Sequence, residues 1–147
     1  MNDAVRRAQN IDTLKAMLKA CGIKDFATGL NYLTEDVYCD WPYKPIEAMP
    51  ESMVGRETLR QFFEEGQAPL SGLNYGIQAI YELLDPDILI AEYDSNARHL
   101  ETGVPYRNRY LGIFHFRDGL ISYWREYIDP GAIASMFAEV ARQQGGG

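Results

Sequence analysis

Arg117-Asp118-Gly119-Leu120-Ile121-Ser122-Tyr123-Trp124-Arg125-Glu126-Tyr127-Ile128-Asp129-Pro130 combines a tight Asp-Gly turn with the aromatic strand it feeds. One acid, Glu126, stands in the middle of that strand. Carboxylates are disfavoured in strands and costly to bury without a partner. If Glu126 points inward it is a candidate proton carrier. Working back from the turn, aromatic and β-branched runs cover roughly 73–84, 88–99 and 105–117, with 120–128 as the fourth. Asp85-Pro86-Asp87, a turn near Glu101-Thr102-Gly103 and Asp118-Gly119 separate them. Such short turns predict antiparallel neighbours, a β-meander.

The first half of the chain has the other periodicity. Ala4, Ala8, Ile11, Leu14, Leu18 and Cys21 recur at steps of three and four, predicting an amphipathic helix that ends at Gly22. Phe26, Leu30 and Leu33 predict a shorter second helix. Val37 to Trp41 predicts a short strand stopped by Pro42. Residues 43–54, with Pro45 and Pro50 inside them and Pro42 just before, predict a loop. Thr58 to Glu64 predicts a third helix with Leu59, Phe62 and Phe63 on its apolar side. Ile133, Met136, Phe137 and Val140 predict a closing helix after Asp129-Pro130, with Asp129 as its cap. Helices followed by an antiparallel sheet define an α+β fold. The expected form is a curved antiparallel sheet wrapped around the N-terminal helices, a cone with an internal pocket for small molecules. No repeat or linker interrupts the chain, so residues 1–147 are expected to form one domain.

Composition limits the partners. The chain has 147 residues, 46% hydrophobic and 24% charged, as globular domains do. Its formal charge of -7 argues against nucleic acid and anionic membrane. No run of about 20 apolar residues could span a bilayer, and residues 1–7 lack the apolar core of a signal peptide. Cys21 and Cys39 have neither zinc nor redox spacing, and a cytoplasmic setting follows by default. No His/Cys/Asp cluster has metal spacing, so neither metal nor cofactor is expected. Gly145-Gly146-Gly147 is expected to be a flexible tail.

Strand alternation sorts the candidate site residues. Ser122, Trp124, Glu126 and Ile128 share one face of the last strand; Tyr123, Arg125 and Tyr127 share the other. Tyr106, Asn108, Tyr110, Gly112 and Phe114 oppose Arg107, Arg109, Leu111, Ile113 and His115. Tyr93 and Ser95 oppose Glu92 and Asp94. Pattern alone leaves open which face is inside. A face of Trp124, Glu126, Tyr110, Asn108, Tyr93 and Ser95 has the composition of a pocket, and the Arg- and Tyr-rich face suits solvent or a dimer contact. Each residue also has a plainer reading. Glu126 could pair with an Arg in the sheet, Asp40 could be a turn residue before Trp41-Pro42, and Asn108 could pin a strand. Tyr93 and Tyr110 could simply pack. His99, near a hairpin end, is expected in solvent, and His115 alternates away from the pocket.

The string Tyr106-x-Asn108-x-Tyr110 … Phe114 … Asp118-Gly119-Leu120-Ile121 … Arg125-Glu126-Tyr127 … Asp129-Pro130 resembles the SnoaL-like branch of the nuclear-transport-factor-2-like (cystatin-like) superfamily. So do Asp40-Trp41-Pro42-Tyr43, Met49-Pro50 and Gly55-Arg56-Glu57. The resemblance covers nearly the whole chain and implies fold rather than reaction, because isomerases, cyclases, dehydratases, epoxide hydrolases and non-catalytic binders share it. By resemblance to limonene epoxide hydrolase, Glu126 takes the place of an acid, and Tyr38 and Asp40 take the places of a Tyr and an Asn that hold water. That enzyme's Arg-x-Asp pair falls on Tyr93 and Ser95, so it is missing. Ketosteroid isomerase-like members put their base where Asp40 stands; their oxyanion-hole residues fall near Met17 and Ile113. Phenazine-biosynthesis proteins have a Glu at the place of Glu126 and a His where Phe62 stands. The resemblance also implies a homodimer.

Three functional expectations result. The first is a cofactor-independent acid–base enzyme, an isomerase, cyclase or dehydratase for an apolar oxygenated molecule such as a polyketide, terpenoid or steroid-like ketone. In it Asp40 and Glu126 face each other across one pocket. Tyr38, Tyr93 and Tyr110 donate to an enolate or alkoxide, while Trp41 and Trp124 form flat walls and Ser95, Asn108 and Ile128 complete the substrate site. The second is a binding module for a small apolar ligand. The third is an atypical epoxide hydrolase with a water held by Tyr38, Asp40 and Glu126.

Overall fold

A computed structural model describes residues 2–145; Gly146 and Gly147 of the expected tail lie outside the described residues. Helix α1 (Asp3–Gly22) is capped by the Asn2 side chain, which accepts from the Val5 N–H at 2.9 Å. Helix α2 (Phe26–Gly29), capped by Asp25, leads through a 3-10 turn (Leu30–Tyr32) into strand β1 (Leu33–Asp40). The second helix is therefore shorter than its apolar spacing predicts. Leu33 opens the strand instead, fully buried and aligned with Ile121. Thr34, Val37 and Tyr38 are the β-branched and aromatic residues that favour extended backbone here.

Strand β2 (Ser52–Val54) corrects the expectation of an uninterrupted loop over 43–54. It pairs antiparallel with β1, anchored by the Trp41 N–H to Glu51 C=O and Gly55 N–H to Val37 C=O bonds. Pro42, Pro45 and Pro50 all precede it, so every residue of β2 keeps its N–H. Helix α3 (Arg56–Gly66) follows, then β3 (Gly76–Glu82), β4 (Ile88–Arg98), β5 (Pro105–Arg117), β6 (Leu120–Ile128) and helix α4 (Pro130–Gln144). Strands β3 to β6 form the expected meander. Strand β1 joins β6 in parallel, so the six-stranded sheet is mixed rather than wholly antiparallel, with the order β2-β1-β6-β5-β4-β3. The α+β class stands.

The β5–β6 turn has both central residues left-handed, Asp118 at φ 53° and Gly119 at φ 80°. That is the type I′ geometry whose twist matches the flanking strands. One side of the sheet packs on the helices: Leu14, Met17, Leu18, Phe26, Leu30 and Leu59 bury against Val37, Leu89, Phe114 and Ile121. A second cluster, Leu70, Leu73, Val104, Tyr106, Met136 and Val140, seats α4. A bulge shifts the β6 register, so that His115 faces Tyr123 but Phe116 faces Ile121. Two residues then oppose one. Ile121 therefore takes the inner position that strict alternation assigns to Ser122, and Trp124 resumes the expected parity. Among the described residues no helix is long and apolar enough to cross a membrane.

Replacing Gly119 by Ala forces a Cβ into the left-handed region and is expected to cost about 1–2 kcal/mol, read as a lower urea midpoint with an unchanged slope.

Candidate active site

The inner face contains the residues that alternation groups there. Tyr93, Ser95, Asn108, Tyr110, Trp124 and Glu126 are all buried. Their pairing is set by register: Tyr93 faces Tyr110, Ser95 faces Asn108, and Glu126 faces Gly112. Tyr93 is on β4 and Glu126 on β6, with β5 between them. Gly112 is the residue of β5 that the Tyr93 side chain must cross. A Cβ there would lie 2.5 Å from a Phe114 ring carbon and 3.0 Å from the Tyr93 hydroxyl. With only hydrogen at Gly112, Tyr93 donates to Glu126 Oε2 at 2.5 Å. Trp124 Nε1–H donates to the same tyrosine oxygen at 3.2 Å, and Trp41 Nε1–H makes a longer contact to Glu126 Oε1 at 3.4 Å.

Burial pushes the Glu126 carboxyl up to about 7, against the opposing pull of the Tyr93 and Trp41 bonds. Desolvation, then the charge of Glu126 and its bond, hold the Tyr93 hydroxyl well above the ordinary tyrosine value. Tyr93 thus keeps its proton, and that proton is committed to Glu126. Tyr93 is a positioning donor, not the free donor to an enolate that the sequence suggests.

Glu126 opens on a cavity of about 420 Å³, within the usual range for small-molecule sites. Its walls are mostly apolar: Trp41 and Met49 from the β1–β2 segment, Phe62 and Phe63 from α3, Ile128 from β6 and Met136 from α4. Tyr75, Tyr106 and Tyr110 bring rings with polar tips. Tyr110 stacks on Tyr93 at 5.1 Å, and Tyr75 stands edge-on to both. Ser95 and Tyr93 lie behind this wall. Ser95 Oγ bonds the Tyr110 hydroxyl at 2.9 Å, and Tyr110 meets the Tyr106 hydroxyl at 3.3 Å. Asn108 Nδ2 donates to the Tyr106 oxygen at 2.8 Å and to the Asp129 carbonyl at 3.1 Å. Its Oδ1 accepts from the Arg109 and Asp129 N–H groups. Asn108 is fully used in tying β5 to the start of α4, which Asp129 caps by accepting from Gly131.

Asp40 and Tyr38 are corrected. In the parallel register Cys39 lies beside Trp124, Asp40 beside Arg125 and Tyr38 beside Tyr123. Cys39 therefore points inward, and Tyr38 and Asp40 point to the outer face. There Arg125 donates to both Asp40 oxygens at 2.9 and 2.8 Å, Tyr123 donates at 3.2 Å, and Tyr38 stacks on Tyr123. The two acids do not share a pocket, and no water could be held jointly by Tyr38, Asp40 and Glu126. Trp41, one residue beyond Asp40, does turn inward. His99 is buried rather than solvated, with Nδ1 2.9 Å from Thr102 Oγ1 inside its own hairpin. His115 lies on the outer face against Tyr123. Gly112, Tyr75 and Met49 are site residues that sequence reasoning missed. A glycine inside an aromatic strand is the usual signal of close approach, and Gly112 carried it.

The architecture is an open six-stranded mixed sheet with helices on one face and a buried acid on the wall of a partly open cavity. The chain belongs to the SnoaL-like domain family, whose profile matches residues 14–124. Three solved structures share the fold. A Bacillus subtilis protein described as an isomerase candidate superposes with a TM-score of 0.82 at 24% identity, covering 94% of this chain and 96% of that one. A phenazine biosynthesis-related protein from Pseudomonas aeruginosa gives 0.78 at 19% identity, covering 92% and 89%. An LEH-like epoxide hydrolase from M. tuberculosis gives 0.66 at 21% identity, covering 92% and 91%. At these identities the likeness is one of fold.

The bond over Gly112 has a measurable consequence. It favours ionised Glu126, so removing it raises the carboxyl further. Tyr93→Phe is expected to move the Glu126 titration upward from about 7, followed by the side-chain carboxyl signal in NMR. Gly112→Ala, which displaces Phe114 and Tyr93, is expected to shift it in the same direction.

Proposed function

We propose that the protein is a cofactor-independent acid–base enzyme of isomerase, cyclase or dehydratase type, acting on an apolar oxygenated small molecule such as a polyketide, terpenoid or steroid-like ketone. One observation carries this reading: Glu126 is a buried carboxyl on the wall of an apolar cavity, with its proton affinity raised to about 7. A carboxyl so placed can both take and return a proton near neutrality. As carboxylate, Glu126 removes a proton from the carbon next to a ketone. The C–H pair becomes the new C=C bond, and the carbonyl π pair moves to oxygen. As the oxygen pair re-forms the C=O, the proton on Glu126 goes to the far carbon of a conjugated C=C in an isomerisation, or to a β-hydroxyl that departs with its C–O pair as water in an elimination. A single group shuttles the proton, since Asp40 is engaged on the other face. The rings of Trp41, Phe62 and Phe63 suit a flat, apolar substrate skeleton.

A second reading, a binding module without turnover, draws on the bond that already occupies one Glu126 oxygen. The two separate on Glu126→Gln. The enzyme reading expects kcat on an identified ketone substrate to fall by roughly 10²–10⁴-fold with binding retained, and kcat/KM of the wild type to rise with pH through an inflection near 7. Turnover unchanged in Glu126→Gln would overturn it.

Stability gives an independent check. The Glu126 carboxyl is harder to ionise folded than unfolded, where its value is near 4.5. Its contribution is fully present below the unfolded value and is lost as pH rises through the folded one. The loss amounts to about 3 kcal/mol. Gln at 126 has no proton to lose. The Tm of Glu126→Gln relative to wild type is therefore expected to increase between about pH 5 and about pH 8.

We also propose self-association through the outer face bearing Tyr38, Tyr123 and Arg125, beside Arg107 and Arg109. Sedimentation that finds only monomer at micromolar concentration rules this out.

A further inference from the structure

The buried chain Asn108–Tyr106–Tyr110–Ser95 has a polarity that follows from counting protons. Asn108 Nδ2 can only donate, so the Tyr106 oxygen is an acceptor at that link. Three hydroxyls follow, Tyr106, Tyr110 and Ser95, and only two links join them. Each link consumes one hydroxyl proton, whichever way it runs. One proton of the three is therefore always left without an acceptor inside the chain. Among the described residues, Ser95 Oγ has no partner but Tyr110. Tyr106 and Tyr110 line the cavity, and Ser95 does not. The Tyr106–Tyr110 link is the long one, at 3.3 Å. Tyr93 cannot supply a donor here, since its hydroxyl proton is engaged in the bond to Glu126.

We propose that the Tyr106–Tyr110 hydroxyl pair is the site that holds the carbonyl oxygen of the ligand, so that the cavity selects ketones and quinone-like carbonyls over their deoxy counterparts. With Ser95 donating to Tyr110, the spare proton falls on Tyr106 or Tyr110, the two of the three that line the cavity, where a carbonyl can accept it. Resting on the acid–base reading of Glu126, the pair is also where negative charge collects when the carbonyl π pair moves to oxygen. The donors are anchored before substrate arrives, because Asn108 fixes Tyr106 and Ser95 fixes Tyr110. The donor pair and the proton carrier sit on neighbouring strands: Tyr110 pairs with Ile128, two residues along β6 from Glu126. A carbonyl and its adjacent C–H bond could then address the two groups from one ligand.

The test uses 9-fluorenone, a flat ketone with no enolisable hydrogen, and fluorene, which has CH₂ in place of the carbonyl. Binding is measured by fluorescence, and the C=O stretch of bound fluorenone by infrared difference spectroscopy. Wild type is expected to shift the stretch to lower wavenumber than in cyclohexane and to prefer fluorenone to fluorene. Tyr106→Phe combined with Tyr110→Phe is expected to abolish the shift and weaken fluorenone binding by roughly threefold to tenfold, with fluorene binding unchanged as the control for folding. Ser95→Ala leaves two hydroxyls and one link, so one proton is still in surplus and the shift is expected to persist. A shift that survives the double substitution would sink the proposal. So would a folded wild type that binds fluorene as well as fluorenone, or binds neither. Because fluorenone is not turned over, these outcomes are independent of Glu126 chemistry, whose own failure is read from turnover by Glu126→Gln.

Discussion

The site depends on a side chain that is missing. Only a hydrogen at Gly112 lets the Tyr93 hydroxyl pass over β5 and bond the Glu126 carboxyl at 2.5 Å. That bond does two things at once. It satisfies one oxygen of a buried acid whose other oxygen has the longer Trp41 contact, and a buried carboxylate left short of donors is costly. It also fixes the Tyr93 ring, on which Tyr110 stacks and against which Tyr75 stands edge-on. The aromatic wall of the cavity and the position of its acid are thus parts of one arrangement, spread over three strands. Phe114 closes the space over the glycine.

Charge is divided between the two faces of the sheet. Arg125 and Glu126 are adjacent in sequence and so point to opposite faces. A free arginine beside a buried carboxylate would be drawn to it and would lower its proton affinity. Asp40 holds Arg125 instead, through two bonds on the outer face. Glu126 is left with neutral donors, Tyr93 and Trp41. Neutral donors support the ionised form without pinning it, and burial then sets the affinity near neutrality.

Much of this was legible in the residues. Period-two alternation and short turns are local properties, so the β3–β6 meander and the grouping of Tyr93 with Ser95, of Asn108 with Tyr110 and of Trp124 with Glu126 could be read directly, whereas which face lies inside could not. The Asp118-Gly119 turn sets Arg117 opposite Leu120 and Phe116 opposite Ile121, and only the bulge beyond them brings Trp124 opposite Phe114 and Glu126 opposite Gly112. The misreadings share one cause: they depend on pairing between distant segments. Asp40 alternates correctly with Cys39, but whether it faces in or out is decided by the parallel register with β6, which no local pattern encodes. The bulge that gives Ile121 the place of Ser122 is a mismatch between two strands, invisible in either alone. Strand β2 is too short to show a period, and its existence rests on the β1 edge being available. Leu33 fits a helical spacing and a strand equally, and packing beside Ile121 decided it.

The parallel pairing of β1 with β6 also sets the order in which the molecule can assemble. The meander is built from neighbours in sequence, whereas the Asp40–Arg125 contact joins residues 85 positions apart. Closing so long a loop costs chain entropy before any contact rewards it. Trp41 reaches Glu126 only through that closure. The cavity is therefore a late product of folding: a chain that has formed its hairpins but not this junction has most of its strands and an acid still open to water.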